Sequence, residues 1–312
     1  MRGLFFGLLF RGLFVLTGTA VVTFSLLWNA PGDPALSIAL ARFDALVTPD
    51  LVEEIRKEVG FDQGFWSAFW YWLQPLMVGD FGNSSVTGRA VLPDLLVAAS
   101  YTVPLALTAL CIGLVMSIVL AIFATKKPGG WLDRFAVGIA SVGAAIPAYW
   151  LGLLLILLFA VHLSWLPAMG ARTPSHAILP ALTLALGVTA ALTRIIRSGI
   201  LEARSQSFLP AFRRRGVSDK SIGRAHIVPH AAIPVITVSG LELAFLLEGA
   251  VMVEVIFSRP GLGTFLINAI DARDFPQVQA AVIVIALVFV IVNLFIDLTY
   301  QYIDPRIGKQ DA

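Results

Sequence analysis

Long uncharged apolar runs alternate with short charged ones along the chain, and the runs exceed what a water-soluble core element needs. Six reach the length of about 20 helical residues that crosses a bilayer. The first follows Arg11 and runs to about Trp28, and the second lies between Asp94 and Lys126 with no charge between them. The third extends from Phe135 to Val161, the fourth lies between Arg172 and Arg194, the fifth runs from near Pro234 to near Phe257, and the sixth from Gln279 to Ile303. Backbone amides in hydrocarbon have no water to bond, so each run is expected to close its hydrogen bonds as a helix. The expectation is an all-α membrane protein of six transmembrane helices. Its parts would be residues 1–30 (N-terminus and first helix), 31–94 (a segment outside the membrane) and 95–312 (a core of five helices). A cytoplasmic loop is expected at about 199–233. The first run is too long for the roughly 7–15-residue apolar region of a signal peptide, and Trp28-Asn29-Ala30-Pro31 is a poor cleavage site, so it is read as retained.

Basic residues orient the bundle. With both termini in the cytoplasm, 15 of the 22 Lys and Arg fall on the cytoplasmic side and 7 opposite. Excess positive charge faces the cytoplasm, so this orientation is preferred. The long segment 31–94 then lies on the side opposite the cytoplasm. Within it, Thr48-Pro49-Asp50 is the start signal of a short helix, Pro49 to Val59, that Gly60 would end. Trp66 and Trp70 belong to an aromatic cluster with Phe65, Phe69, Tyr71 and Trp72. That cluster reads equally as a membrane-interface belt or as a platform for an external protein.

Composition agrees: 58% of residues are hydrophobic and 13% charged, about half the charged share of a soluble domain. Cys111, the single cysteine, excludes an intrachain disulfide and a cysteine-rich metal site. No phosphate loop of the form G-x-x-x-x-G-K-[ST] and no H-E-x-x-H is present. The histidines His162, His176, His226 and His230 are not spaced as metal ligands; His226 and His230 are four apart, but Pro229 disturbs the turn between them. No catalytic residue, no metal and no nucleic-acid partner is expected. If such a chain drives transport, the energy must come from another subunit or from an ion gradient.

Between the fourth and fifth runs lies the most basic stretch, Arg213-Arg214-Arg215-Gly216-Val217-Ser218-Asp219. Phe208 to Arg215 can form a short helix ending at a left-handed Gly216, and Ser218 with Asp219 can cap the next. A helix–glycine–helix elbow suits docking to a soluble partner; a basic loop on anionic headgroups is the alternative.

Several motifs match a family in order and spacing. They are Pro31-Gly32-Asp33-Pro34, Gly60-Phe61-Asp62-Gln63, Gly79-Asp80-Phe81-Gly82-Asn83-Ser84, Phe257-Ser258-Arg259-Pro260-Gly261-Leu262-Gly263, Arg273-Asp274-Phe275-Pro276 and Asp304-Pro305-Arg306-Ile307. Over nearly its whole length the chain resembles the inner-membrane permeases of bacterial ABC importers, peptide/nickel branch. The family's loop pattern E-A-A-x3-G-x9-I-x-L-P aligns with Pro210-Ala211-Phe212, Gly216, His226, Val228 and Pro229; Pro210 replaces the Glu and His226 the Ile. The resemblance implies a type I importer fold and an inner-membrane complex with a second permease, two cytoplasmic ABC ATPases carrying ATP and Mg, and a periplasmic solute-binding protein. It implies ATPase coupling through Phe212, Arg213, Arg214, Arg215, Gly216, Ser218, Asp219 and His226, and transport by alternating access without bond chemistry in this chain.

Polar residues inside the spans are pathway candidates, since an intramembrane charge normally faces the bundle or water. These are Glu242, Glu248 and Asn293. Glu242 and Glu248 are six apart and cannot share a face; an interhelical hydrogen bond is the competing role. Glu254 lies nearer the outer end, Asn293 and Asp297 are four apart, and Pro147 is expected to kink the third span. Trp66 and Trp70 are the binding-protein contact candidates. Short peptides are the expected cargo and nickel the alternative, since Trp165-Leu166-Pro167-Ala168-Met169-Gly170 resembles nickel-type members. A secondary transporter would need an internal repeat, and none is visible between the halves.

Overall fold

A computed structural model describes residues 2–29, 32–43, 46–58, 60, 62 and 64–303. Pro31, Phe61, Gln63 and the Asp304-Pro305-Arg306-Ile307 motif lie outside those residues. Apart from an isolated bridge between Asn83 and Ala90, the described residues form helices and turns. Among the described residues, five helices are long and apolar enough to span a membrane: Gly7–Trp28, Val91–Lys126, Pro174–Ser205, Asp219–Ile256 and Phe275–Asp297. The third expected span is a pair, Trp131–Ala145 and Ala148–His162, bent by 105°. The expected kink at Pro147 is therefore a break. Ile146 before the proline is extended, with ψ 122°, as the Pro ring requires of its predecessor.

Two compact units emerge, Met1–Thr102 with Pro260–Ile291, and Val103–Arg259 with Val292–Ala312. Apolar clusters hold the first together. Ala20 and Phe24 of the first span pack on Ala68 and Phe69 of the helix Phe65–Met77. Ala35, Ile38 and Ala39 meet Ile55 and Phe275. Val91, Leu95 and Ala98 meet Leu262, Ala280 and Ala281. The short helix expected from Pro49 is present to Glu58, with the Leu51 N–H 3.4 Å from Thr48 Oγ1 and Gly60 at φ 77° beyond it.

Two of the family motifs of this unit form one tie. Gly79 and Gly82 take positive φ, and Asp80 Oδ1 accepts the Gly82 N–H at 2.9 Å. The resulting loop buries Ser84 and Ser85. Ser84 Oγ donates to Asp274 Oδ2, and the Ser85 N–H donates to Asp274 Oδ1 at 3.1 Å. Asp274 follows the helix Leu262–Asp271, which ends on Arg273 at φ 52°. The Arg273 N–H donates to the Ile270 carbonyl and the Asp274 N–H to the Ala269 carbonyl, the paired bonds of a left-handed helix end.

In the second unit, the helix Ile178–Ser205 is the central element; it is packed by Trp131–Ala145, Ala148–Leu155 and Val228–Ile256. Small residues permit close approach: a Cβ on Gly113 would lie 2.6 Å from Val188 Cβ. Buried Asp133 accepts from Arg197 Nε at 2.6 Å and Nη2 at 2.8 Å, and from the Gly129 N–H at 2.7 Å. The fifth span begins before Pro234: helix is continuous from Asp219, through a π-helical turn at Gly223–Ile227, to Ile256. The wider turn falls where Pro229, lacking an N–H, was expected to disturb the helix.

Candidate functional site

The polar elbow leaves the C-terminal end of Ile178–Ser205 and returns at Val228. Its first arm is the helix Leu209–Arg214. Gly216 ends it at φ 77°, a conformation costly for residues with a Cβ. The Gly216 N–H donates to the Arg213 carbonyl at 3.0 Å and the Val217 N–H to the Phe212 carbonyl at 3.1 Å, so the last carbonyls are satisfied and the chain reverses sharply. Ser218 then caps the second arm, its Oγ accepting the Ser221 N–H at 3.3 Å, with Asp219 in the first turn.

The arms are braced against each other. Arg213 Nε donates to Asp219 Oδ1 at 3.0 Å. Phe212 stacks on His226, ring centroids 4.6 Å apart, and Phe208 meets both rings edge-on. Leu209 and Ile222 are buried beneath. Arg204, in the last turn of the preceding helix, donates to the Thr125 carbonyl near the end of Val91–Lys126, so the elbow's root is tied to a second long helix. A cavity of about 490 Å³ runs along this root, lined among others by Thr125, Arg204, Arg213, Asp219 and Ile222.

The expected coupling residues thus separate by role. Phe212, Arg213, Asp219 and His226 face one another and hold the shape. Gly216 and Ser218 make the reversal. Arg214 and Arg215 are exposed, as are Lys220 and Arg224. Since Arg213 is neutralised by Asp219, these four cations present a net positive surface that can meet an acidic partner. Phe208, Leu209 and Ile222 were missed as anchors; their apolar character amid charge was the available signal.

The pathway candidates also separate. Glu242 is half-buried and lines a cavity of about 160 Å³ in the second unit, beside the break between Ile146 and Ala148. Glu248 is exposed, and Asn293 is half-buried on the last helix and outside that cavity's lining. Glu242 lines that cavity and Glu248 does not. Glu254 is fully buried. In the first unit, Trp66 and Trp70 are 70% and 51% exposed while Phe69 is buried; Trp72 stacks on Phe24. The aromatic cluster is thus split between a packed face and an open one.

Two family models cover the chain. The binding-protein-dependent transport system inner membrane component matches residues 113–309, and the N-terminal part of the corresponding membrane component matches residues 6–102. The glutathione transport system permease protein GsiC of Escherichia coli strain K12 is 36% identical over 288 residues, covering 92% of this chain and 93% of that one. GsiC of Salmonella typhimurium gives the same identity and coverage. Among solved structures, a chain of the MetNI methionine ABC transporter in inward-facing conformations superposes with TM-score 0.57 at 16% identity, over 68% of this chain and 97% of that chain. A chain of an amino acid ABC transporter with histidines gives TM-score 0.55 at 20% identity, over 68% and 94%. With six helical spans or broken spans, an elbow and these matches along both parts of its length, the chain belongs to the binding-protein-dependent transport inner-membrane component family and is a multi-pass permease subunit of a type I ABC importer for a small solute.

Proposed function

We propose that this permease forms one half of the pore of an ATP-driven importer of short peptides. The observation that carries the cargo is the 36% identity to permeases named for glutathione transport, glutathione being a tripeptide. The partners would be a second permease, two cytoplasmic ATPases holding ATP and Mg, and a periplasmic solute-binding protein. The elbow would lie in the cytoplasm, inserted in a groove of an ATPase, with Arg214, Arg215, Lys220 and Arg224 meeting acidic side chains there.

Nothing in this reading asks the chain to make or break bonds. ATP binding would draw the ATPases together and carry the two elbows with them. The elbow is braced across its two arms and tied to Thr125 through Arg204, so it can pass a rigid-body displacement to Val91–Lys126, Ile178–Ser205 and Val228–Ile256. Trp66 and Trp70, exposed on the segment between the first two spans, would receive the binding protein.

The test uses the assembled complex in proteoliposomes with its binding protein. ATP-dependent uptake of a tripeptide is expected, and uptake of Ni(II) in its place would overturn the cargo. Gly216→Val puts a β-branched residue at φ 77°, costing about 1–2 kcal/mol, and Arg214→Glu reverses an exposed charge. Both are expected to lower ATPase co-purification and uptake together; unchanged values for both would sink the coupling role.

A further inference from the structure

The 160 Å³ cavity in the second unit holds an unusual group. Glu242 is the one ionisable side chain in its lining. It sits 14 positions before the end of the helix at Ile256, about 21 Å along the axis, which is membrane depth. Among the described residues no hydrogen bond or ion pair reaches its carboxylate. A carboxylate at such depth is costly unless something compensates it.

Its surroundings offer hydrogen-bond acceptors. Thr183, also in the lining, donates its hydroxyl to the Leu179 carbonyl at 2.8 Å, which leaves its lone pairs as acceptors. Gly143 and Ile146 bring the C-terminal end of Trp131–Ala145 to the cavity, where a helix carries partial negative charge. Pro147 has no N–H with which to satisfy the Gly143 carbonyl in a helical bond. The walls are glycine-rich, with Gly143, Gly187 and Gly249. A Cβ on Gly187 would meet nothing within 4 Å, so the space is open rather than closed by packing.

We infer that this cavity is a subsite for a primary ammonium group of the transported solute, with Glu242 as its counter-ion. The inference rests on the reading of the chain as a peptide importer's permease and adds the chemistry by which the pore would recognise its cargo. A divalent metal would need several charged or imidazole ligands, and the lining supplies one carboxylate and one hydroxyl. A volume of about 160 Å³ is well above the roughly 10–15 Å³ that one water needs and has room for the ammonium end of a peptide.

The test reads the ratio of wild-type to Glu242→Gln uptake in the reconstituted complex, so the selectivity of the binding protein cancels. With a free-amine tripeptide at pH 6.5, the ratio is expected to be about ten or more, the scale of a hydrogen bond to a charged group. At pH 9 the α-ammonium, with an ordinary pKa of about 8, has lost its proton, and the ratio is expected to fall toward one. Glu242→Asp keeps the charge and should recover most of the uptake. Gly187→Val narrows the cavity and keeps the Glu242 charge, and it should lower uptake by a similar factor, which keeps the test decisive if the Gln variant fails to assemble. A ratio independent of pH, or full uptake by both Glu242→Gln and Gly187→Val, overturns the subsite while leaving the peptide importer standing. Absence of ATP-driven peptide uptake by the wild type overturns the peptide reading itself, and the subsite with it.

Discussion

At the scale of single residues, charge pairs differ in weight according to burial. Asp133 is buried and takes two guanidinium hydrogen bonds from Arg197 and one backbone N–H. Asp133→Asn removes the charge and turns an amide N–H₂ toward the guanidinium. The expected loss is about 3 kcal/mol, typical of breaking a buried pair, seen as a lower melting temperature of the detergent-solubilised protein. Arg213 and Asp219 are 57% and 79% exposed, so Arg213→Ala should leave that melting temperature unchanged; a large drop would mean that the elbow supports the fold. Neither partner of Asp133 was visible beforehand. An aspartate and an arginine 64 positions apart carry no local signal of meeting, whereas Gly216 and Ser218 act on their own neighbours and were legible.

At the scale of elements, helix ends follow a shared chemistry with different residues. The helices before Gly216, Ser258 and Arg273 each end on a residue with positive φ, and each closes with the same pair of backbone bonds. Glycine marks the first, which the sequence made plain. Ser258 and Arg273 carry no such mark in the sequence, and only their backbone geometry shows the same ending. Helix contact also depends on small residues. Gly113→Leu would drive a side chain into Val188 and the Ala185 carbonyl, separating Val91–Lys126 from Ile178–Ser205. A loss of about 1–3 kcal/mol is expected. Gly138→Ala meets nothing within 4 Å and is the control that should hold its stability. Equal stability of the two variants would contradict the close approach at Gly113.

At the scale of the whole molecule, the proposed orientation can be read by labelling. In a Cys111→Ser background, Lys220→Cys is expected to react with a membrane-impermeant thiol reagent in inside-out vesicles, and Trp66→Cys in intact spheroplasts. The reverse pattern would invert the topology. Five of the six spans needed no tertiary information, because a run of about 20 apolar residues must close its own hydrogen bonds in lipid. The elbow's reversal was equally local, a glycine free to take positive φ and a serine free to cap. Tertiary structure decided the rest. It turned the Pro147 kink into a 105° break, set Glu242 on a cavity and Glu248 on an exposed face, and divided one aromatic run into a packed and an open side. Hydropathy assigns a residue to the membrane, but it is symmetric around the helix in spans apolar on every side. Which face meets a neighbour is determined when distant helices come together.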